Sequence, residues 1–137
     1  MIYLLNCGRI KVNFDIIILH VGTNDVNRLE IADFDIAYNI LISTVKKLVR
    51  AGSVIVLSAI LPRPIDFQDT GYFVATVNSR LKSTCLKRGV KFVATYKPFL
   101  KFGKPVCELF SPICNLHLNY FGNLKLINFF VQVLAHS

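Results

Sequence analysis

Short apolar runs alternate with longer amphipathic segments along the chain. Residues 14–21 and 53–60 are almost continuously apolar and rich in isoleucine and valine, and residues 90–95 form a shorter run. Such runs are typical of parallel strands that are buried on both faces of a sheet. We therefore predict three strands at these positions.

Apolar residues recur at helical spacing in the segments between and after the strands. Asp33 is the predicted N-cap of a first helix, and Gly52 is the predicted residue just beyond its end. A second helix is predicted over residues 70–88 with Gly89 closing it, and Asn119 can cap a third. The third helix carries four apolar residues on its predicted apolar face: Leu124, Ile127, Val131 and Leu134.

The order of these elements predicts an α/β fold with a parallel sheet. Neither an internal repeat nor a linker interrupts the pattern, and 137 residues are the size of one domain, so we expect a single domain over residues 1–137. Binding and catalytic sites of such sheets lie beyond the carboxyl ends of the strands. Any chemistry is therefore expected in residues 22–27, 58–69 and the irregular segment 96–120.

Composition narrows the class of protein. Hydrophobic residues make up 53% of the chain and charged residues 18%, which excludes a disordered polypeptide. The apolar runs are far shorter than the ~20 residues of a spanning helix, and the sequence does not start like a signal peptide. We expect no membrane span and a cytoplasmic or nuclear location. None of the four cysteines forms a C-x-x-C pair, so we expect reduced, mostly buried thiols, no metal site and no cofactor.

Positive charge is concentrated in one part of the sequence. The chain has 16 basic and 8 acidic residues, a formal net charge of +8, and residues 80–104 alone contribute the whole excess. That stretch contains no acid, and its bases are Arg80, Lys82, Lys87, Arg88, Lys91, Lys97, Lys101 and Lys104. A localised excess of this kind attracts phosphate groups. A solvated helix face followed by a basic loop would give the same pattern.

Two segments carry residues suited to chemistry. In H-V-G-T-N-D-V, Gly22 allows a sharp turn, the Asn24 amide can donate a hydrogen bond above the sheet, and Asp25 can accept backbone N–H bonds that hold the loop. In S-P-I-C-N-L-H-L-N-Y-F-G-N, His117 precedes the last helix and can act as a general base. Taken alone, the first segment also fits an ordinary turn, and His117 fits a packed or surface side chain. His20, within the first predicted strand, is expected to be structural.

The segments I-L-H-V-G-T-N-D-V and L-H-L-N-Y-F-G-N, with V-I-V-L-S-A-I-L-P between them, resemble the SGNH (GDSL-type) hydrolase family. The resemblance covers residues 14–134. It implies a flavodoxin-like, three-layer α/β/α sandwich in which Asn24 matches the oxyanion donor and His117 matches the base. In intact esterases and lipases of the family, a serine attacks an ester carbonyl, the histidine moves the proton and the asparagine holds the oxyanion.

The sequence departs from the family pattern at three of its functional positions. The Gly-Asp-Ser block with the nucleophile is absent, only 13 residues precede the first strand, and the second-block glycine has no convincing match. Cys114 stands where the family has an aspartate, and a thiol cannot supply the carboxylate that orients an imidazolium. Ser58, or Cys114 beside His117, could replace the nucleophile only after reorientation. The resemblance therefore implies a domain that is incomplete on its N-terminal side and inactive, with Asn24 and His117 as remnants.

Two function classes follow from this sequence. One is an esterase-like domain without activity. The other is a binding module of the same fold, because inactive SGNH-like domains that bind RNA are known in the family, and its candidate phosphate contacts are Arg80, Lys82, Lys87, Arg88 and Lys91. Since only three strands are predicted, we also expect an unpaired sheet edge, marginal stability and self-association. Residues 1–5 could partly repair that edge by adding a short strand.

Overall fold

The computed structural model describes residues 16–135 and contains a three-stranded parallel sheet. Strands β1 (Ile16–Leu19), β2 (Val54–Ser58) and β3 (Lys91–Val93) lie side by side in that order. The predicted strands and the parallel sheet are confirmed, although each strand is shorter than the apolar run that predicts it. The beginning of the first run and residues 1–5 lie outside the described residues.

Three long helices accompany the sheet: α1 (Ile31–Leu48), α2 (Phe67–Arg88) and α3 (Tyr120–Ala135). A small hairpin of β4 (Leu100–Lys101) and β5 (Lys104–Pro105), together with short 3₁₀ turns, occupies the segment between β3 and α3. Within the described part of the chain, none of the helices combines the length and apolar character that a membrane crossing requires.

The sheet separates two apolar cores. In register, Ile17 lies opposite Ile55 and Leu57 lies opposite Phe92, and Ile55 and Leu57 point towards α1 and α2. The buried helix residues on this side are Phe34, Tyr38, Leu41, Ile42, Val45, Val74, Val77, Leu81 and Cys85. The core on the opposite side, under α3, is made by Val56, Leu61, Val93, Phe99, Phe110, Leu126 and Phe130. The fold is therefore a three-layer α/β/α sandwich, as predicted.

The helix ends differ from the predicted ones. Helix α1 begins two residues before Asp33, which is not the N-cap but closes a capping box by accepting the N–H of the N-cap residue Glu30 at 3.1 Å. Gly52 does not follow α1 directly and instead has a φ of 87° in the turn before β2. Helix α2 begins earlier than predicted, at Phe67, and Gly89 ends it with a left-handed φ of 67°, as predicted.

Helix α3 turns a different face to the core from the predicted one. Its buried residues are Gly122, Leu126 and Phe130, whereas Leu124, Ile127 and Val131 are exposed. Close packing at Gly122 explains this orientation, because a Cβ there would lie 2.0 Å from the carbonyl oxygen of Leu109. Asn119 caps the helix as predicted, since its Oδ1 accepts the N–H of Gly122 at 2.9 Å.

The three described cysteines are free thiols in different surroundings. Cys85 is buried between α2 and the sheet, and burial raises its pKa to about 11. Cys107 is exposed and Cys114 is half-buried, so the expectation of mostly buried thiols is wrong for these two. Among residues 16–135, no group of three histidine, cysteine or carboxylate side chains is arranged to hold a metal ion.

One corner of the sheet is incompletely covered. Within the described residues β1 pairs with β2 alone, and α3 lies over β2 and β3. Ile16, Ile18 and Val54 share the face that α3 covers, yet 46%, 37% and 42% of their surfaces are exposed. Apolar side chains beside an unpaired strand edge favour association with a second chain.

We therefore expect self-association through this corner. Replacing two of its residues, Ile16→Lys with Ile18→Lys, should lower the mass measured by size-exclusion chromatography with light scattering at a fixed concentration. The control, Ile36→Lys with Ile40→Lys, changes two comparably exposed isoleucines on α1 and should leave the mass unchanged. A wild-type chain that elutes as a sharp monomer at every concentration would contradict the expectation.

Candidate functional site

The chain turns sharply after β1 and enters a 3₁₀ turn over Thr23–Asp25. Gly22 makes this turn with a φ of 122°, a conformation that side chains rarely adopt. A Cβ at this position would also lie 2.5 Å from Tyr38 Oη and 2.9 Å from Ile60 Cδ1. The turn therefore requires glycine for both a conformational and a steric reason.

Arg63 and Tyr38 hold this turn through their side chains. Tyr38 Oη donates to the carbonyl of Val21 at 3.1 Å, and burial is the main reason why the pKa of Tyr38 is raised. Arg63 is 6% exposed and donates through Nη1 to the carbonyl oxygen of Thr23 and, at 3.3 Å, to Thr23 Oγ1. Asp25 closes the turn with its main-chain N–H at 3.0 Å, whereas its carboxylate makes no hydrogen bond to a described residue.

Asp66, at the start of α2, fixes Arg63 in turn. Arg63 Nε and Nη2 donate to the two oxygens of Asp66 at 2.9 and 3.0 Å, which is a bidentate pair. Asn27 Nδ2 and Thr70 Oγ1 donate to the same carboxylate at 3.1 and 2.9 Å. The bond from Arg63 is the main reason why the pKa of Asp66 is lowered. The loop of Asn24, the segment after β2 and the start of α2 thus form one hydrogen-bonded unit.

The loop before α3 forms the second wall of the site. Ser111 N–H donates to the carbonyl of His117 at 2.7 Å, and Ile65 N–H donates to the carbonyl of Asn115 at 2.9 Å. Asn115 has a left-handed φ of 52°, so the loop reverses just before the histidine. Cys114 Sγ lies 3.4 Å from His117 Nδ1 and also accepts the His117 main-chain N–H at 3.4 Å.

Hydrogen bonds lower the pKa of Cys114 to about 7. The main-chain N–H of His117 contributes most, followed by that of Leu116 and by the His117 ring. These bonds favour the thiolate of Cys114 relative to that of an ordinary cysteine. The sulfur faces Nδ1, the ring atom that the acid contacts in a Ser-His-Asp triad. In its thiolate form, Cys114 places a negative charge at this position, on a larger and softer atom than a carboxylate oxygen.

His117 and the Asn24 loop face each other across a cleft of about 610 Å³ at the carboxyl ends of β1 and β2. The polar residues that line this cleft are His20, Thr23, Asn24, Asp25, Arg28, His117 and Asn123. Four of the residues singled out in the sequence, Gly22, Asn24, Asp25 and His117, therefore meet here. The side chain of Asn24 is exposed and has no hydrogen bond to a described residue, so its amide can donate to a ligand.

The described lining of this cleft contains no serine and no cysteine. Ser58 is fully buried in β2, where its hydroxyl lies 2.5 Å from His20 Nδ1 and donates to the Leu19 carbonyl at 3.3 Å. Cys114 lies on the Nδ1 side of His117 and is not part of the lining. The first serine of the sequence is Ser43, so residues 1–15 contain none.

The place of three residues in the site was missed in the sequence, since His20 was expected to be structural and Arg28 and Arg63 were not singled out. His20 follows the end of β1 and lines the cleft, and loss of water around its ring lowers its pKa. Arg28 is the one lysine or arginine of the described lining. Arg63 holds the Asn24 loop, and its position between two prolines after a buried strand is the sequence signal that could have identified it.

The basic residues 80–104 do not form one surface. Arg80 pairs with Asp35, and Arg88 donates to Asn39 Oδ1 and Ser43 Oγ at 2.8 Å each. Lys87 and Lys91 flank the start of β3, at the amino ends of the strands, and the exposed Lys82 lies earlier on α2. The remaining lysines of the stretch follow β3 and lie at the carboxyl ends: Lys97, Lys101 and Lys104.

A second cleft, of about 620 Å³, opens at the amino ends of the strands. Lys46 and Arg50, from the end of α1, line it together with Lys91. The seven acidic residues of the described chain lie instead towards the carboxyl ends, in loops, in the first two turns of α1 or in the first turn of α2: Asp25, Glu30, Asp33, Asp35, Asp66, Asp69 and Glu108. Within the described residues, the carboxyl ends therefore carry both acids and bases, whereas the amino ends carry bases without acids.

Three solved structures illustrate how this fold compares with known proteins. A member of the lipolytic protein G-D-S-L family from Veillonella parvula has a TM-score of 0.79 and 18% identity, over 100% of this chain and 74% of its own. A GDSL-like lipase from Bacteroides thetaiotaomicron has a TM-score of 0.72 and 15% identity, over 89% and 62%. The esterase domain of the ORF1 protein from the zebrafish ZfL2-1 retrotransposon has a TM-score of 0.66 and 24% identity, over 87% and 67%.

The chain therefore has the fold of the SGNH (GDSL-type) hydrolases, which confirms the fold that the sequence resemblance implies. It spans 62% of the length of the Bacteroides lipase. No protein-family model and no curated protein sequence matches the chain. At sequence identities of 15 to 24%, these similarities establish the fold and not a shared activity.

The Arg63–Asp66 pair should contribute measurably to stability. Asp66→Asn should lower the free energy of unfolding at pH 7 by about 2 kcal/mol, because Arg63 keeps its buried charge and loses its charged acceptor. Asp69→Asn, an exposed acid in the same helical turn, should cost only about 0.5 kcal/mol. Urea denaturation of the three proteins measures both differences, and equal losses would contradict the assignment.

The same pair predicts a pH dependence. Because Arg63 lowers the pKa of Asp66 in the folded state, its stabilisation is complete above the ordinary aspartate pKa of about 3.9 and is lost as the pH falls through the lower folded value. The difference in stability between wild type and Asp66→Asn should therefore shrink under acid conditions. A difference that is constant down to pH 2 would exclude this coupling.

Proposed function

We propose that these 137 residues form a non-hydrolytic domain of the SGNH hydrolase fold. The carrying observation is that the described lining of the cleft, where Asn24 and His117 face each other, contains no serine and no cysteine, since Cys114 contacts His117 from the Nδ1 side, outside that lining. An oxyanion donor and a base do not form an acyl-enzyme, because the covalent step requires a nucleophile that lies in the cleft, within reach of both the base and the bound carbonyl. The cleft can still bind a carbonyl or carboxylate oxygen through Asn24 and Arg28.

Hydrolysis of p-nitrophenyl acetate tests this proposal. The wild-type chain should release p-nitrophenol no faster than His117→Ala, apart from one stoichiometric acetylation of each accessible thiol. Cys114→Ser identifies the part of that release that is due to Cys114. Cys114→Asp should not create turnover, because restoring the acid supplies no nucleophile. Repeated turnovers that disappear in His117→Ala would overturn the proposal.

We propose, as a second function, that the amino-terminal end of the sheet binds single-stranded RNA. The supporting observation is the segregation of charge. Helices α1 and α2 both end at this side with bases, and the described residues place no acid there: Lys46, Lys47, Arg50, Lys87, Arg88 and Lys91. Bases at helix ends also interact favourably with the helix dipoles. Six bases at one end of the sheet, three of them in the lining of an open cleft, exceed that need, which supports phosphate binding here.

Two of these bases are committed to the fold, and three others can meet a ligand. Lys46 Nζ donates to the Arg88 carbonyl at the end of α2 at 2.5 Å, and Arg88 binds α1. The side chains of Lys47, Lys87 and Lys91 make no hydrogen bond or ion pair with the residues that the structure describes. Charge reversal of these three should therefore change binding and not folding.

Matched triple variants separate a specific surface from net charge. Lys47→Glu, Lys87→Glu and Lys91→Glu together change the formal charge by 3 × (−2), from +8 to +2, as do Lys97→Glu, Lys101→Glu and Lys104→Glu at the opposite end. In fluorescence anisotropy with labelled single-stranded RNA, the first triple variant should lose most of the affinity and the second should keep it. Three phosphate contacts also predict a roughly 20-fold loss of wild-type affinity between about 50 and 200 mM salt. Equal losses in the two variants, or no binding at low salt, would contradict this function.

A further inference from the structure

We propose that the cleft between the Asn24 loop and α3 transfers an RNA phosphodiester to the neighbouring 2′-hydroxyl, with His20 as the base and His117 as the acid. The products are a 2′,3′-cyclic phosphate and a free 5′-hydroxyl. The inference rests on the first proposed function, because a cleft without a nucleophile in its described lining favours a substrate that carries its own. The 2′-hydroxyl of a ribonucleotide is such a nucleophile, and it lies beside the phosphorus that it attacks.

Ser58 fixes the orientation and the tautomer of the His20 ring. The Ser58 hydroxyl lies 2.5 Å from His20 Nδ1 and donates its single proton to the Leu19 carbonyl at 3.3 Å. Both contacts are hydrogen bonds at once only if Nδ1 carries a proton and donates it to Ser58 Oγ. The free lone pair of neutral His20 is therefore on Nε2. Since Ser58 is fully buried and His20 lines the cleft, Nε2 is the ring nitrogen that a ligand can reach.

The surroundings of His20 favour its neutral form. Loss of water around the ring lowers the pKa of His20, because burial disfavours the charged imidazolium. A neutral imidazole whose lone pair faces a cleft is suited to accept a proton from a bound hydroxyl. His20 is therefore assigned as the general base.

His117 presents the second imidazole from the opposite wall of the cleft. Its Nδ1 lies 3.4 Å from Cys114 Sγ, and Cys114 is outside the described lining. Nε2 is therefore the nitrogen of His117 on the cleft side. In its thiolate form Cys114 accepts a hydrogen bond from Nδ1–H, so the proton that the protonated ring can transfer to a ligand is the one on Nε2.

Asn24 and Arg28 provide hydrogen-bond donors for the phosphate. Both side chains are exposed, line the cleft and make no hydrogen bond to a described residue. The amide and the guanidinium can donate to the two non-bridging oxygens, which gain negative charge as the 2′-oxygen adds to phosphorus. The volume of about 610 Å³ is sufficient for a nucleotide and its phosphodiester.

The reaction is balanced without a further reactant. His20 Nε2 takes the proton of the 2′-hydroxyl, the 2′-oxygen bonds to phosphorus, and the bond from phosphorus to the 5′-oxygen breaks with its electron pair on that oxygen. His117 Nε2 protonates the leaving oxygen. His20 is then protonated and His117 neutral, and exchange of one proton with solvent restores both.

A dinucleotide assay with the full chain tests the reaction. Uridylyl-(3′→5′)-adenosine should give uridine 2′,3′-cyclic phosphate and adenosine in equal amounts, and its 2′-deoxyuridine analogue should remain intact. His20→Gln and His117→Gln should each lower the rate on the order of 100-fold, because a positioned acid or base contributes about 10²–10⁴-fold. Arg28→Gln should also slow the reaction, whereas Lys82→Gln, the same charge change at an exposed site on α2, should not.

The pH dependence distinguishes two cooperating histidines from one. The wild-type rate should pass through a maximum, because the base must be neutral and the acid protonated. The rise on the acidic side should lie below the ordinary histidine pKa of about 6.5, since burial lowers the pKa of His20. It should be absent from the residual activity of His20→Gln. Among the described residues, the other titratable or charged groups that face the two rings are Asp25 and Arg28 in the lining and Cys114 behind His117.

Proton–nitrogen NMR tests the geometry in the wild-type chain, so the proposal remains testable if a histidine variant fails to fold. Long-range couplings should show His20 as the Nδ1–H tautomer at pH 7.5. Ser58→Ala should weaken that preference, because Ser58 is the positioning residue for the ring.

Four results would overturn the proposal. They are an Nε2–H tautomer of His20, cleavage of the 2′-deoxy analogue, equal rates in the wild type and both histidine variants, and no cleavage of the ribodinucleotide. A failure here leaves the first proposed function intact. Repeated turnover of p-nitrophenyl acetate would instead overturn that function, because this ester has no internal hydroxyl.

Discussion

The ion pair between Arg63 and Asp66 is the interaction on which the geometry of the cleft depends. A buried guanidinium is costly unless every donor has a partner, and here its donors reach Asp66 on one side and Thr23 on the other. Three segments that are far apart in sequence are therefore held in one arrangement. The side chain of Asn24 is exposed and makes no hydrogen bond to the described chain. Its position is therefore fixed by the 3₁₀ turn in which it lies, and Arg63 holds that turn.

Close approach of backbone to side chain is the second constraint. Gly22 brings the main chain against Tyr38 and Ile60. On α2, Asn78 Oδ1 accepts the main-chain N–H of Ile60 at 2.7 Å, and Asn78 Nδ2 donates to the Ile60 carbonyl at 2.9 Å. Gly122 does the same for α3 against Leu109. The cleft is thus bounded by elements with little freedom to shift, although its chemical content departs from that of a serine hydrolase. The shape of the cleft and its chemical content are separate properties, because different residues are responsible for each.

Local sequence patterns predicted the helices and strands, whereas tertiary packing determined which face of α3 is buried and how the loop before α3 is arranged. The buried strands, the αL glycine at residue 89 and the Asn119 cap depend on neighbours a few residues away, so the sequence contained the necessary information. Helix α3 has apolar residues on most of its faces, and spacing alone therefore could not select the buried one. The partnership of Cys114 with His117 was visible as a spacing of three. Its strength depends on the left-handed Asn115, which no periodicity indicates.

Because the amino ends of the strands carry bases without acids and the acids lie at the carboxyl ends, the described part of the chain has an electric dipole aligned with its strands. In the field of a polyanion such a body experiences a torque before it makes contact, and it arrives with the amino ends of the strands foremost. The opposite pole, with Asn24 and His117, then points away into solvent. A small ligand can enter or leave that cleft while the other pole is occupied, because the length of the strands lies between them.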